Sequence, residues 1–333
     1  MKTVIFEIES WERKAFETLD VRYPLHFENA RLDSETVGSY ADAEIISTFI
    51  YSSLQRDVLE KLPGLKLIAT RSTGFDHIDL VYCAKRGIKV ANVPVYGENT
   101  VAEHVFALLL AVSHHLVEAV DRTRRGDFSQ AGLCGFDLQG KTMGIIGTGS
   151  IGCHVARIAK GFGMDVVAHD IRPAEATAAA IGFRYLALSD VLSTADVLSL
   201  HVPANTRTRH LISKKEFALM KEGAILINTA RGSIVDVREL LGALSTGKIA
   251  AAGLDVLPEE PVIREEAELL RSAFGREHDL ESLLADHILL RLRNVLITPH
   301  SAFNTREAVQ RILETTRRNI EAFAAGRPQN LVS

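Results

Sequence analysis

The 333-residue chain is 47% hydrophobic and 24% charged, with a formal net charge of −4 at pH 7. That is apolar material for two domain cores, without the cationic excess of a nucleic-acid footprint, so small-molecule chemistry is the better expectation. Cys83, Cys134 and Cys153 are widely spaced and form no C-x-x-C pair, which argues against a disulfide framework or a zinc site and suits a reducing cytoplasm.

Residues 1–8 read as the start of a strand and not as a signal peptide, because Glu7 and Glu9 interrupt the apolar run. The longest apolar stretch, at 105–112, is too short to span a bilayer. Apolar runs at 4–8, 23–27, 44–49, 67–70 and 88–93 alternate with helical patterns at 12–19 and 55–62, the signature of a parallel α/β sheet. The stretch 71–79 follows the fourth run and carries Gly74; in a doubly wound sheet such loops line the ligand crevice.

Residues 94–99 break the pattern, and one long helix is expected from Thr100 to Arg125, with Thr100 as N-cap and Glu103 completing a capping box. Its apolar circumference predicts burial between domains or subunits. His104, His114 and His115 on it lack the i, i+4 spacing of a metal pair and read as core or surface histidines.

Residues 142–170 carry the strongest motif. Met143 to Ile146 read as a buried strand, Gly147, Gly149 and Gly152 form G-x-G-x-x-G with Thr148, Ser150 and Ile151 between them, and residues 151–162 have helical periodicity stopped by Gly163. The glycines permit a tight turn and close approach to a pyrophosphate, which the helix N-terminus binds through its free N–H groups. Asp170, 18 positions after Gly152, sits near the offset of about 20 at which a carboxylate meets the ribose diol, favouring NAD over NADP. Cys153, just inside the helix, is either a packing residue or a thiol acidified by the helix N-terminus.

Runs at 197–202, 224–228, 250–256 and 295–298, separated by helical patterns at 188–192, 214–220 and 237–244, complete a six-stranded sheet. Residues 261–293 read as a helical excursion, and 305–325 as an amphipathic helix returning to the first domain. The expected architecture is α/β, with two doubly wound parallel-sheet domains: 1–99 plus 300–333, discontinuous, and 100–299.

Three strand ends carry reactive side chains: Arg231 after AILINTA, Glu260 after AGLDVLPE and His300 after NVLITP. Histidine takes and returns a proton near neutrality, a carboxylate on its second nitrogen fixes the tautomer, and arginine offers an always-charged planar fork for a carboxylate. Singly each has a bland structural reading; together behind a dinucleotide motif they suit hydride chemistry at an alcohol alpha to a carboxylate.

The ordered motifs RSTGFDHIDL, VPVYGENTVAEH, GIIGTGSIG, SLHVPANTRTRHLI, LINTARGSIVD, GLDVLPEEP and ITPHSAF resemble the D-isomer-specific 2-hydroxyacid dehydrogenases. The resemblance implies a flavodoxin-like substrate domain and a Rossmann NAD-binding domain, with Arg231, Glu260 and His300 as catalytic arginine, glutamate and histidine. It places Asp255 near the nicotinamide carboxamide, Val202 and Pro203 at the adenine pocket, Thr229, Ala230 and Arg231 beside the nicotinamide, and the backbone of Ser72, Thr73, Gly74 and Phe75 on the substrate carboxylate. Residues 122–142 with the aromatic pair Tyr96 and Phe303 are similar to the D-lactate dehydrogenase branch and imply pyruvate as substrate. That branch often has Gly-His-Gln where Pro299, His300 and Ser301 stand here. Another 2-oxo acid such as glyoxylate or hydroxypyruvate is the alternative substrate, and an NAD(H)-sensing binding protein the alternative function. A homodimer is expected, from the family and from the apolar long helix.

Overall fold

The structure, a computed structural model, describes residues 1–20, 24–258 and 280–332. Packing divides the chain into two units, Met1–Gly97 with Asn304–Ser333, and Glu98–Phe303.

In the first unit, β1 (Thr3–Ile5), β2 (Leu25–Phe27), β3 (Ile45–Thr48), β4 (Leu67–Thr70) and β5 (Lys89–Ala91) pair in parallel in the order β2-β1-β3-β4-β5. This is the flavodoxin-like winding, with its switch point between β1 and β3. Every position of β1, β3 and β4 is buried, which is why these strands read as unbroken apolar runs without alternation. The helix Arg306–Ala324, N-capped by the Thr305 side chain, packs on β4 and buries Ile312, Leu313, Thr316, Asn319 and Ile320. The chain then lays Leu331 antiparallel against Ala91, and Val332 N donates to Val90 O at 2.9 Å, so the exposed edge of β5 is partly covered.

In the second unit, β6 (Thr142–Ile146), β7 (Asp165–His169), β8 (Arg184–Tyr185), β9 (Val197–Leu200), β10 (Ala224–Asn228), β11 (Ile249–Leu254) and β12 (Val295–Ile297) form a parallel sheet ordered β12-β11-β10-β9-β6-β7-β8. This is Rossmann winding, and the sheet has seven strands where six are read from the sequence. The extra strand, β8, has two residues, too few to leave a periodic signal. The winding reverses between β6 and β9, which puts the ligand crevice beyond their carboxyl ends.

The long helix expected from Thr100 is two helices, Glu98–Ser113 and Leu116–Arg124, bent by 62°. His115 at the break is left-handed, with φ 48°. Since the first helix starts at Glu98, Thr100 is a buried interior residue and forms no capping box; Glu103 instead accepts from Asn99 Nδ2 at 3.1 Å. Its apolar side packs within this unit: Ala102, Val105, Phe106 and Leu109 share one core with Met143, Ile145, Val155, Ala156 and Ala159. Gly253 permits that packing, because a Cβ there would lie 3.0 Å from Leu108 Cβ. No single described helix is long and apolar enough to cross a membrane.

The left-handed His115 generates a stability prediction. A β-branched residue pays a steric penalty of roughly 1–2 kcal/mol in this conformation, which glycine avoids. His115→Val is therefore expected to unfold at lower urea than His115→Gly, and equal midpoints would contradict the left-handed break.

Candidate active site

The glycine motif turns at the carboxyl end of β6. Gly147 has φ 94°, and a Cβ on it would lie 2.6 Å from His201 O at the end of β9. A Cβ on Gly152 would lie 2.1 Å from Gly147 O, so the first turn of the helix Ser150–Gly161 closes on the strand end only without side chains. Gly149, the N-cap, makes no side-chain cap bond, and nothing approaches its missing Cβ within 4 Å. The helix therefore presents uncapped N–H groups of Ser150 and Ile151 to open space, the arrangement that binds phosphate.

Asp170 follows β7 and reaches back to this turn. Its carboxylate accepts from Thr148 N at 2.7 Å, Thr148 Oγ1 at 3.1 Å and Arg172 N at 2.8 Å. The Thr148 hydroxyl also lies 2.7 Å from the Tyr185 hydroxyl on β8. Burial opposes ionisation of Asp170, but the bonds from Thr148 and Arg172 outweigh it and hold the carboxyl below its usual range. Across the switch point, Val202 and Pro203 follow β9, with Val202 beside Gly147 and Pro203 exposed. Thr229 Oγ1 is buried and has no hydrogen-bond partner among the described residues. A glycine cradle, an uncapped helix, an ionised acid and an orphaned buried hydroxyl fit a dinucleotide.

Arg231 and His300 stand beyond the carboxyl ends of β10 and β12 of the same sheet, with β11 between them. Asn228, 1% exposed at the end of β10, shapes the Arg231 turn: its Oδ1 accepts from Ala230 N at 3.0 Å and its Nδ2 donates to Arg231 O at 2.9 Å. Gly232 lets this turn abut β11's continuation, since a Cβ there would be 2.2 Å from Leu257 C. Arg231 itself donates to Ala230 O at 2.7 Å.

Beyond β12, His300 has φ 52° and donates its backbone N–H to Asp255 O at 3.0 Å. The Asp255 carboxylate, expected by resemblance near the nicotinamide carboxamide, accepts from Thr298 Oγ1 at 2.5 Å, Ser301 N at 2.8 Å and Ala302 N at 2.9 Å. Since the Thr298 hydroxyl has one proton and gives it to Asp255, the His104 Nε2 that lies 3.0 Å away must be the protonated nitrogen. His104 is thus part of the frame behind His300, a role its sequence position does not reveal. Phe303 ends the unit and is half-buried. Glu260 lies outside the described residues.

In the first unit, Ser72, Thr73, Gly74 and Phe75 follow β4. Ser72 O accepts from Val93 N at 3.0 Å, Thr73 O from Asn92 Nδ2 at 2.8 Å and Gly74 O from Ser72 Oγ at 2.5 Å. Arg71, 2% exposed, ties the loop to the end of β1 by donating to Phe6 O at 2.6 Å and Glu7 O at 2.7 Å. Tyr96 is half-buried, its carbonyl taken by Arg311.

Cys153 is not an acidified thiol. Burial raises its pKa, and its Sγ is turned to Thr148 O at 3.2 Å.

A Rossmann sheet with a glycine cradle at its switch point, and with arginine and histidine framed at strand ends on either side of β11, defines a dinucleotide-dependent oxidoreductase. The family model described as D-isomer specific 2-hydroxyacid dehydrogenase, NAD binding domain, matches residues 106–302. The chain is 34% identical over 341 residues to D-lactate dehydrogenase of Escherichia coli, covering 100% of both. It is 38% identical over 300 residues to glyoxylate reductase of Thermococcus litoralis, covering 88% of this chain and 84% of that one. The solved D-lactate dehydrogenase of Aquifex aeolicus, complexed with NAD and lactic acid, aligns with a TM-score of 0.87 and 36% identity over 98% of this chain and 96% of that one. The chain belongs to the D-isomer-specific 2-hydroxyacid dehydrogenase family and is an NAD-dependent oxidoreductase, which removes the NAD(H)-sensing alternative.

Two predictions follow from this geometry. Asp170→Ser is expected to lower the preference for NADH over NADPH by roughly tenfold or more, read as the ratio of kcat/KM values, and an unchanged ratio would remove Asp170 from the ribose site. His201, whose Nε2 lies 2.8 Å from Ser199 Oγ, has its pKa pushed down to about 3 by burial. The unfolded chain takes up this proton below pH about 6.5 while the folded one does not, so stability is lost as pH falls from there toward 3. His201→Asn should flatten the dependence of the urea midpoint on pH between 7.5 and 5; an equally steep decline would assign the effect elsewhere.

Proposed function

We propose that this enzyme interconverts pyruvate and D-lactate, with the Glu98–Phe303 unit holding NAD and the Met1–Gly97 and Asn304–Ser333 unit serving as substrate domain. The observation that carries the catalytic assignment is the over-determined turn at His300: four hydrogen bonds, three to the Asp255 carboxylate and one to its carbonyl, aim a histidine from the end of β12.

NADH, when bound, supplies the hydride for the carbonyl carbon. Gly147, Thr148, Gly149, Ser150, Ile151 and Gly152 take its pyrophosphate, Asp170 its adenosine ribose, Val202 and Pro203 its adenine, and Thr229, Ala230 and Asp255 the nicotinamide end. His300 gives a proton to the carbonyl oxygen of the 2-oxo acid in reduction and takes it back in oxidation. Arg231 polarises that oxygen and holds the carboxylate. Glu260 keeps His300 in the competent tautomer. The backbone N–H groups of Ser72, Thr73, Gly74 and Phe75 bind the substrate carboxylate, and Tyr96 and Phe303 contribute to substrate binding.

Pyruvate is favoured by relatives named D-lactate dehydrogenase that align end to end with this chain. The second reading, a glyoxylate or hydroxypyruvate reductase, has its own support in the relative named glyoxylate reductase. The three free cysteines support a cytoplasmic setting. A homodimer is supported by the Leu116–Arg124 helix, which buries no residue in the protomer and exposes Leu116, Val117 and Val120 on one side.

A panel of 2-oxo acids with NADH should give the highest kcat/KM with pyruvate; a higher value with glyoxylate or hydroxypyruvate would transfer the assignment to the second reading. On the best substrate, His300→Ala should cost roughly 10²–10⁴ in kcat, and wild-type turnover would refute its proton-transfer role. Arg231→Lys should also be damaging, because a point charge does not replace a planar fork. Light scattering should report a dimer, shifted to monomer by Val117→Glu, and a monomeric wild type would overturn the dimer.

A further inference from the structure

The first unit contains a closed ring of three asparagines from distant parts of the chain. Asn92, just past β5, donates its backbone N–H to Asn330 O at 3.1 Å. Asn330 Nδ2 donates to Asn319 Oδ1 at 2.8 Å, and Asn319 Nδ2 donates to Asn92 O at 2.9 Å. Asn92 and Asn319 are 6% and 1% exposed. Asn330 has φ 52°, a left-handed conformation that asparagine tolerates better than most residues. Each of the three side chains donates an N–H, and Asn319 also accepts one; the amide supplies that donor, which an ionised carboxylate lacks.

The ring leaves the Asn92 side chain one task, its bond to Thr73 O at 2.8 Å. A trans peptide plane points its C=O and its N–H in opposite directions, and the described residues contain no cis peptide. Pinning Thr73 O inward therefore turns Gly74 N–H outward. The bonds to Ser72 O and Gly74 O do the same for the N–H groups of Thr73 and Phe75. No acceptor among the described residues takes these three N–H groups, and successive outward amides form an anion-binding nest.

We infer that the asparagine ring orients the carboxylate-binding loop, which makes Asn92, Asn319 and Asn330 positioning residues for substrate and gives the C-terminal tail a part in substrate affinity. The inference rests on the reading that residues 72–75 bind the substrate carboxylate. It predicts a selective loss: substrate KM rises about tenfold while kcat and the dissociation constant of NADH stay near wild type, because carboxylate binding is shared by ground and transition states.

The test uses the full-length enzyme with its best 2-oxo acid. Asn330→Gly retains the left-handed backbone and the carbonyl while deleting the amide, and Asn92→Asp retains the shape while removing the donor to Thr73 O. Thr73→Pro removes one loop N–H directly and probes the loop on its own. A raised substrate KM in all three, with NADH binding by fluorescence titration unchanged, supports the ring's role. A raised KM in Thr73→Pro with wild-type values in both asparagine variants overturns the ring and leaves the loop standing. Wild-type KM in Thr73→Pro overturns the loop reading and the ring with it. Loss of NADH affinity in step with KM overturns the inference too, since it marks a general structural defect.

Discussion

The Asp255 carboxylate, 1% exposed at the end of β11, takes three donors from the segment after β12, and its backbone carbonyl takes the N–H of His300. A charged acceptor strengthens each of these bonds, and their convergence holds His300 in a conformation that non-glycine residues otherwise avoid. Asp255 donates its own N–H to Asn228 O, while the Asn228 side chain holds Ala230 N and Arg231 O of the turn. The turns that carry arginine and histidine are thus held by two buried polar residues, Asn228 and Asp255.

The cofactor cradle has the same construction. Asp170 accepts from the Thr148 backbone at the glycine turn, so the acid of the second strand and the turn of the first are one hydrogen-bonded unit. Its depressed pKa keeps a negative charge at that point. A ribose diol would donate to that charge, whereas a 2′-phosphate would meet it as a like charge, and the proposed preference for NAD rests on that difference.

What was legible in the sequence was what depends on neighbours along the chain. Gly147, Gly149 and Gly152 declare a turn by spacing, and the fully buried strands β3, β4 and β10 declare themselves as apolar runs. The two-residue β8 was not legible, nor was the break at His115, where a polar His-His pair interrupts an otherwise continuous helical pattern without glycine or proline. Frame residues such as His104 and Thr298 were missed because their partners lie on other elements: His104 and Thr298 are 194 positions apart. One signal was available at Asn228, since asparagine is disfavoured in strands and a buried one at a strand end implies a specific polar task. The role of Glu260 rests on its motif alone.

The first unit is made from the two ends of the chain. During synthesis its strands emerge before the Rossmann unit, yet the helix that covers β4 and the segment that borders β5 belong to Asn304–Ser333, which follows that unit. The intervening Rossmann unit is contiguous and can complete its own sheet while the earlier one still exposes apolar surface. The first unit consequently completes its fold after the Rossmann unit although its strands precede that unit in the chain.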